Sequence, residues 1–317
     1  MMLSEDFIQK TISPKKEMYA YETLWAMEHS IEDIKEKTLK EMFEKYTPLE
    51  TLETLSDQYK QEKEFFDTKL SFLEIKEKVD KFLKDSFDKG PLSFSIAVNK
   101  AIQYPENLKK HCPVGLFYYK GDLGLLETRC LSIVGARKAS DEGLSKAREL
   151  VKELSQKFTI VSGLAKGIDT VAHQSAIENK GLTIGVIGTP INKYYPKENK
   201  ELQDRIASDF LLISQVPFYK YSKEHFKSHA YHFPRRNMTM ASISEATVVV
   251  EASDTSGSLT QARECIKQKK KLFIMDHCFN NPKIIWPKIY EKKGAIRVRK
   301  VSDILDILDK NYGKSVD

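Results

Sequence analysis

The stretch TIVSGLAKGIDTVAHQSAI, residues 159–177, decides the fold. Its first residues, Thr159–Val161, are β-branched and predict a buried strand, and Asp169–Asn179 has the composition of a helix. A short apolar strand that leads through a glycine loop into a helix is the repeating unit of a parallel α/β sheet.

The same alternation continues on both sides of this stretch, from about Ala97 onward. Strands that are apolar throughout belong to a parallel sheet whose two faces are both covered by helices. We therefore expect an α/β fold with a doubly wound, mostly parallel sheet. The predicted strands are Leu131–Val134, Thr159–Val161, Thr183–Ile187, Leu211–Ser214, Thr247–Glu251 and Leu272–Met275, and the predicted helices are Gly143–Gln156, Asp169–Asn179, Asn199–Ala207 and Leu259–Gln268.

Residues 1–90 have a different character. Glu, Lys, Leu and Phe dominate, apolar residues recur at helical spacing, and the first glycine is Gly90. Gly90-Pro91 is a turn signal and a candidate boundary. We predict an all-helical N-terminal domain over residues 1–90 and the α/β domain over residues 91–317.

The composition of the 317-residue chain is that of a soluble globular protein, with 41% hydrophobic and 30% charged residues. The sequence shows neither a membrane-spanning run nor a signal pattern, so we expect a cytoplasmic protein without a membrane partner. The net charge is −6 over residues 1–90 and +12 over residues 91–317. This asymmetry points to a polyanionic partner for the α/β part.

The loops that follow the predicted strands carry the candidate chemistry, because ligands of open parallel sheets bind at the carboxyl ends of the strands. Three such loops hold glycines, hydroxyls or cations, and helix N-termini with unpaired N–H groups are expected after them. This combination predicts an anion-binding surface. None of the loops has the spacing of a dinucleotide fingerprint or a P-loop, so we expect no cofactor. The candidate residues are Gly135, Ala136, Arg137 and Lys138, then Ser162, Gly163, Lys166 and Gly167, and then Ser256, Gly257 and Ser258.

A fourth candidate element is the run FPRRN at residues 233–237, which contributes Arg235, Arg236 and Asn237. Two adjacent arginines are placed ahead of a short helix and follow a segment rich in aromatic residues and histidine. Cations interleaved with rings suit single-stranded nucleic acid, because phosphates meet the cations while bases stack on the rings.

Three histidines in the preceding segment raise the alternative of a metal site. His225, His229 and His232 would share one face of a helix. Pro217 and Pro234 bracket the segment, and neither cysteine nor carboxylate joins the histidines in a metal-binding motif, so we expect no metal. The four cysteines of the chain are scattered, which predicts buried thiols rather than a disulfide framework.

Together these blocks resemble the DprA/Smf family of DNA-processing proteins. The resemblance covers about residues 100–305 and rests on the runs LSIVGARKAS, SGLAKGID, TIGVIG, FPRRN and VVVEASDTSGSLTQAR, in this order. It implies an extended Rossmann-like fold, single-stranded DNA binding without enzymatic activity, a homodimer formed through the α/β domain, and delivery of DNA to the RecA recombinase in natural transformation or recombination. It also implies phosphate or nucleotide contacts from Arg137, Lys166, Arg235 and Asn237, and a backbone cradle from Gly135, Ser162, Gly163, Gly257 and Ser258.

The chain departs from the family pattern at several positions. Ala136 stands where the family usually has serine, Met238 where it has a basic residue, and Thr260 where it tends to isoleucine. These departures leave the backbone cradle for phosphate in place, but they put the affinity for DNA and the base preference in question. We also expect no C-terminal winged-helix domain, which many members have.

Two alternatives stay open at this point. The same pocket would serve as a nucleotide sensor in a phage-defence or mobile-element system. An enzyme of the lysine-decarboxylase-like phosphoribohydrolase type would need a glutamate in the loop that here reads SDTSGSLTQARE, and Glu264 is displaced from that spacing. We therefore expect a binding protein and no catalytic residue.

Overall fold

The structure is a computed structural model that describes residues 12–28, 30–31, 34–61 and 66–312. The outer ends of the two predicted domains, residues 1–11 and 313–317, lie outside the described residues. Among the described residues, no helix has both the length and the apolar character that crossing a bilayer requires.

The described chain contains thirteen α-helices and nine strands. The helices are α1 (Pro14–Met27), α2 (Glu36–Lys45), α3 (Pro48–Gln61), α4 (Phe66–Phe87), α5 (Glu106–His111), α6 (Asp141–Leu154), α7 (Ile168–Glu178), α8 (Lys200–Asp209), α9 (Phe218–Lys223), α10 (His232–Ile243), α11 (Ser258–Lys267), α12 (Trp286–Glu291) and α13 (Val301–Tyr312). The strands are β1 (Ser95–Val98), β2 (Leu116–Gly121), β3 (Cys130–Val134), β4 (Thr159–Ser162), β5 (Thr183–Ile187), β6 (Leu211–Ser214), β7 (Ala246–Val249), β8 (Lys271–Met275) and β9 (Ile296–Val298).

The chain divides into two compact units. Three segments beyond the predicted boundary at residue 90 belong to the same unit as the N-terminal helices. The smaller unit comprises the described residues up to Tyr104, together with Pro113–Phe117 and Pro217–Ser222; the larger unit comprises Pro105–Cys112, Tyr118–Val216 and the described residues from Lys223 onward.

The smaller unit packs its helices around an apolar core in which Met18 and Leu24 of α1 are fully buried. Two carboxylates of α1, those of Glu17 and Glu22, are buried as well. Glu22 accepts hydrogen bonds from the backbone N–H groups of Phe218 and Tyr219, each at 2.9 Å. These bonds hold the start of α9 in this unit, although α9 lies far along the chain.

The nine strands are arranged in the order β1-β2-β6-β5-β4-β3-β7-β8-β9. From β6 through β9 every neighbouring pair is parallel, and β2 runs antiparallel to β6. The predicted doubly wound, mostly parallel sheet is confirmed. The predicted bounds of β5 and β6 match the observed ones, whereas β7 ends at Val249, two residues before the predicted end at Glu251.

Helices cover both faces of the sheet in the larger unit. Leu131 and Ile133 of β3 are fully buried in one apolar core with residues of α6, α7 and α13. Ser132, between them, points to the other face, where its Oγ lies 2.7 Å from the Oγ of Ser244 at the end of α10. The alternation along β3 follows the two-residue period of a strand.

The strand order reverses beside β3. From β3 the chain continues to β4, β5 and β6 on one side, and it then crosses back to place β7 on the other side. The crossing segment contains α9 and α10. Connections that leave β3 and β7 in opposite directions open a crevice at the carboxyl ends of these strands, which is where ligands of doubly wound sheets bind.

Candidate functional site

A cleft of about 860 Å³ opens at this switch point. It is lined by the loops after β3, β4 and β7, by the first turns of α10 and by the segment after β8. The predicted site residues that line it are Gly135, Ala136, Arg137, Lys138, Arg236, Asn237, Ser256, Gly257 and Ser258. The predicted residues outside this lining are Ser162, Gly163, Lys166, Gly167 and Arg235.

The loop after β4 is built into the fold beside the cleft. Ser162 is fully buried, and its Oγ donates to a carbonyl of β3 at 2.7 Å. The Gly163 carbonyl accepts from the guanidinium of Arg236. Gly167 has a φ of +78°, and a Cβ there would collide with the Ala136 carbonyl oxygen. Gly167 therefore allows the β4 loop to pack against the β3 loop, and the lack of a side chain at Gly163 leaves room for the Arg236 guanidinium.

Arg236 and Asp169 form a buried polar centre within the lining of the cleft. Arg236 is 5% exposed and donates to the carbonyls of Gly163 and, at 2.8 Å, Val186. Burial lowers the pKa of Arg236 to about 10, and the Asp169 carboxylate opposes this shift. Burial likewise raises the pKa of Asp169, against the effect of Arg236 and of backbone N–H groups such as that of Ala165. Arg236 thus joins the ends of β4 and β5 as a structural group.

Arg137 is an exposed arginine of the cleft, and Lys138 beside it is exposed as well. The guanidinium carbon of Arg137 lies 5.4 Å from the centre of the Phe233 ring. The ring packs on Gly188, where a Cβ would lie 2.6 Å from a ring carbon. A planar cation held over an aromatic face offers a fork for phosphate oxygens next to a surface for stacking.

Lys166 and Arg235, two predicted contact residues, are engaged elsewhere. The Nζ of Lys166 lies 2.6 Å from a carboxylate oxygen of Glu198 in an exposed ion pair. The guanidinium carbon of Arg235 lies 5.4 Å from the centre of the Tyr231 ring, and the residue is 8% exposed. The expectation that both arginines precede a helix was wrong, because α10 begins three residues before them and buries them in its first turns.

Side chains lie at the N-terminus of α6, where the sequence predicts unpaired N–H groups. The Oγ of Ser140 accepts from the N–H of Gly143 at 3.0 Å. The Glu251 carboxylate accepts from the N–H of Ser140 at 3.0 Å and from its hydroxyl at 2.5 Å. A side chain from the loop after β7 therefore places a carboxylate beside this helix start, where the sequence predicts an anion.

Carboxylates also lie at two further helix starts near the cleft. Asp169, in the first turn of α7, accepts from the N–H of Ala165 at 3.4 Å. Asp254 accepts from the N–H groups of Ile285 and Trp286, at 3.1 and 2.9 Å, where α12 begins. Resident carboxylates thus offset the positive ends of α7 and α12.

The start of α11 is polar and carries hydroxyl groups instead. The Oγ atoms of Ser256 and Ser258 lie 2.6 Å apart. Asn237 donates to the Gly257 carbonyl at 3.1 Å, which ties this turn to α10. No carboxylate bonds to the first turn of α11 in the part of the chain that the structure describes. A phosphate would therefore meet hydroxyls rather than a negative charge at this helix start.

The segment after β8 also lines the cleft, and sequence reasoning did not single it out. His277, Asn280 and Asn281 present an imidazole and two amides, and Ile284 adds an apolar side chain. The sequence does contain a signal for this segment, because it follows the predicted strand Leu272–Met275 and ligands bind at strand ends. The hydrogen bond between Ser140 and Glu251 could not be predicted in this way, because 111 positions separate the two residues in the sequence.

The three histidines considered for a metal site do not share one helix. His225 precedes a 3₁₀ turn, Phe226–Tyr231, and His232 begins α10. His232 is buried, and its Nε2 lies 2.6 Å from a carboxylate oxygen of Glu224. No group of three or more His, Cys, Asp or Glu side chains is placed to hold a metal ion within the described residues. All four cysteines are buried thiols, as predicted.

Glu264, weighed for an enzymatic role, and the histidine of α7 lie away from the cleft lining. Glu264 lies within α11 and does not line the cleft. His173 of α7 is fully buried, with its Nδ1 2.7 Å from the hydroxyl of Thr183. Burial lowers the pKa of His173 to about 3, so the imidazole is neutral at physiological pH. It packs α7 against β5.

A doubly wound sheet with a polar cleft at its switch point defines a Rossmann-like α/β protein that binds a ligand at the carboxyl edge of the sheet. Residues 95–309 match the family model described as DNA recombination-mediator protein A. The chain belongs to this family, and the resemblance drawn from its motifs is confirmed.

Relatives and solved structures of the same family agree with this assignment. DNA processing protein DprA of Streptococcus pneumoniae (strain ATCC BAA-255 / R6) is 39% identical over 196 residues, which make up 61% of this chain and 66%, just under two thirds, of that protein. The X-ray structure of DprA from Streptococcus pneumoniae has a TM-score of 0.65 at 32% identity and covers 74% of this chain and 80% of that one. DNA processing protein A from Helicobacter pylori, described for its single-stranded DNA binding mode, has a TM-score of 0.58 at 26% identity and covers 69% of this chain and 97% of that one.

Proposed function

We propose that this protein binds single-stranded DNA in the cleft, with phosphates at Arg137 and at the start of α11 and a base near Phe233. The observation that carries the proposal is the exposed Arg137 guanidinium on the Phe233 ring, at 5.4 Å. A cation beside an aromatic face serves the phosphate and the base of one nucleotide at once. The Helicobacter pylori relative, described for its single-stranded DNA binding mode, supports the same ligand.

The charges of the cleft determine how strongly the affinity for single-stranded DNA should depend on salt. Among the lining residues, Arg137 and Lys138 are exposed cations, whereas the guanidinium of Arg236 is buried. Binding to single strands loses affinity with salt with a log–log slope of about −0.7 per phosphate neutralised. Two phosphate contacts in the cleft correspond to a slope of about −1.4 by this rule.

Family membership supports the wider role. The protein handles DNA in the cytoplasm during natural transformation or recombination, acts as a homodimer formed through its α/β part, and passes single strands to the RecA recombinase. Its role is binding rather than catalysis. The hydroxyls of Ser256 and Ser258 bond to each other, that of Ser140 bonds to Glu251, and no serine of the cleft bonds to a histidine among the described residues.

A free nucleotide is the second candidate ligand, because a cleft of about 860 Å³ has the size of a small-molecule site. The two candidates differ in a simple respect. A DNA-binding protein gains affinity as the strand lengthens and loses it with salt. A nucleotide sensor binds one small nucleotide tightly, and its affinity for DNA does not depend on length.

The test is fluorescence anisotropy of a labelled oligo-dT, single- against double-stranded, with wild type, Arg137→Ala and Arg148→Ala. Arg148 is an exposed arginine of α6 outside the cleft lining, so Arg148→Ala removes the same charge as Arg137→Ala without altering the cleft. Arg137→Ala is expected to weaken single-strand binding roughly tenfold or more, the value of a hydrogen bond to a charged group. Equal effects of the two variants, or no binding of DNA by folded wild type, would contradict the proposal.

A further inference from the structure

We infer that a DNA strand leaving the cleft continues onto a second surface, the tyrosine shelf, formed by Tyr194 and Tyr195 with Lys193 and Lys197 beside them. The inference rests on the proposed binding of single-stranded DNA in the cleft and identifies where the next nucleotides go. Bases stack on the two tyrosine rings, and the lysines contact the phosphates between them.

The tyrosine shelf is continuous with the cleft. The Tyr195 ring lies 5.5 Å from the Phe233 ring, centre to centre, with 45° between the ring planes. Phe233 in turn carries the Arg137 guanidinium. Arg137, Phe233 and Tyr195 therefore form one row of side chains, which begins at the loop after β3 and leads out of the cleft.

Both tyrosine rings leave aromatic surface open to solvent. Tyr195 is 44% exposed and Tyr194 is 37% exposed. Tyr194 is also held in place, because its hydroxyl donates to Asp204 at 2.7 Å and the Nζ of Lys200 lies 5.3 Å from its ring centre. A ring that is fixed before binding loses little freedom when a base stacks on it. Stacking on aromatic faces is how proteins hold unpaired bases irrespective of sequence.

The charge around the tyrosine shelf suits a polyanion. Lys193 and Lys197 are exposed and form no ion pair with any residue that the structure describes. The carboxylates of Glu198 and Asp204, in contrast, are each paired with another lysine. Two exposed lysines thus flank the adjacent tyrosines in the sequence. Cations interleaved with rings suit a single strand rather than a duplex, whose bases are not accessible.

The experiment compares a short and a long oligo-dT, of about four and about twelve nucleotides, which bracket the site sizes of single-strand binders. The variants are Tyr195→Ala, Tyr195→Phe, which keeps the ring, and Tyr46→Ala. Tyr46 is 39% exposed and lies in the smaller unit, so it controls for loss of an exposed tyrosine. Affinities are measured by anisotropy, and folding is checked by circular dichroism.

Tyr195→Ala is expected to weaken binding of the long strand by roughly 5- to 140-fold, the equivalent of one base stack, and to leave binding of the short strand unchanged. Tyr195→Phe and Tyr46→Ala should behave as wild type. An equal loss for both strands would mean that Tyr195 acts within the cleft, and no loss for either would remove it from the interface. Both results overturn the inference while cleft binding stands. If wild type binds neither strand, the proposed function itself fails.

A second variant keeps the inference testable even if Tyr195→Ala does not fold. Exchanging both lysines, Lys193→Gln with Lys197→Gln, alters exposed side chains only. The log–log salt slope for the long strand should become shallower by about 1.4, at about 0.7 per phosphate contact, and that for the short strand should not change. An unchanged slope for the long strand would overturn the inference.

Discussion

The two arginines that line the cleft should respond to substitution in opposite ways. Arg137 is exposed, whereas Arg236 is buried and bonds to the carbonyls of Gly163 and Val186. We predict that Arg236→Ala destabilises the fold, and that Arg137→Ala leaves stability within about 0.5 kcal/mol of wild type, as surface substitutions do. Sequence motifs alone assign both arginines to the ligand.

The magnitude follows from what Arg236→Ala leaves behind. The Asp169 carboxylate, 5% exposed, would lose its cationic partner inside the protein. Leaving a buried carboxylate without the cationic charge that compensates it costs up to about 3–5 kcal/mol. Each of two backbone carbonyls would also lose a donor, but such costs overlap and do not add fully. We therefore expect about 3–5 kcal/mol, a large part of the 5–15 kcal/mol that typically stabilises a domain.

The assay is urea unfolding followed by circular dichroism at neutral pH for Arg137→Ala, Arg236→Ala and the double variant Arg236→Ala with Asp169→Asn. The second substitution removes the stranded charge while its side chain keeps an oxygen for the N–H of Ala165. The double variant should therefore be more stable than Arg236→Ala alone. The reasoning is refuted if Arg236→Ala unfolds at the same urea concentration as Arg137→Ala, or if the double variant is the least stable of the three.

Three further predictions concern the surroundings of the cleft. The pKa of His173 is lowered to about 3 in the fold, so the unfolded chain takes up the proton first as the pH falls. The free energy of unfolding should therefore fall below about pH 6.5, by up to about 2 kcal/mol at pH 5. Urea unfolding at pH 7.5 and 5 should show this loss in wild type and not in His173→Gln. Glu251→Gln removes a negative charge from the cleft and should tighten DNA binding roughly fivefold in anisotropy, whereas unchanged or weaker binding would show that no phosphate comes near it. Gly167→Ala should cost about 1–3 kcal/mol in urea unfolding because of its positive φ, whereas Gly257→Ala, at a position with no heavy atom within 4 Å of an added Cβ, should not.

The central strands were predictable because each is an apolar run followed by a helix. All five residues of β5 are buried, and its bounds match the prediction. The edge strands β1 and β9 are short and carry exposed residues, with only four and three residues. Such segments lack both the apolar run and the regular alternation that mark a strand in the sequence. Their pairing depends on the neighbouring strand rather than on their own residues.

The place of the candidate site was also predictable, because strand-end loops converge on one edge of a parallel sheet. The roles of individual residues were not. Lys166 and Arg137 look alike in the sequence, but Lys166 pairs with Glu198, which lies 32 positions away, and Arg137 packs on Phe233. Which cation stays available to a ligand depends on contacts between distant segments, and these follow from the fold and not from a local motif.

The carboxylates near the cleft narrow the kind of ligand that it can accept. In dinucleotide-binding folds the pyrophosphate rests on the helix start after the first strand of the switch point. Here that helix is α6, and the Glu251 carboxylate already accepts hydrogen bonds from the N–H and the hydroxyl of Ser140 at the start of this helix. Asp169 likewise occupies the first turn of α7. Two adjacent phosphates would therefore face resident negative charge, whereas a single phosphate at the hydroxyls of Ser256 and Ser258 would not. A chain with one phosphate per nucleotide, whose bases reach the aromatic rings at the edge of the cleft, satisfies this arrangement and a dinucleotide cofactor does not.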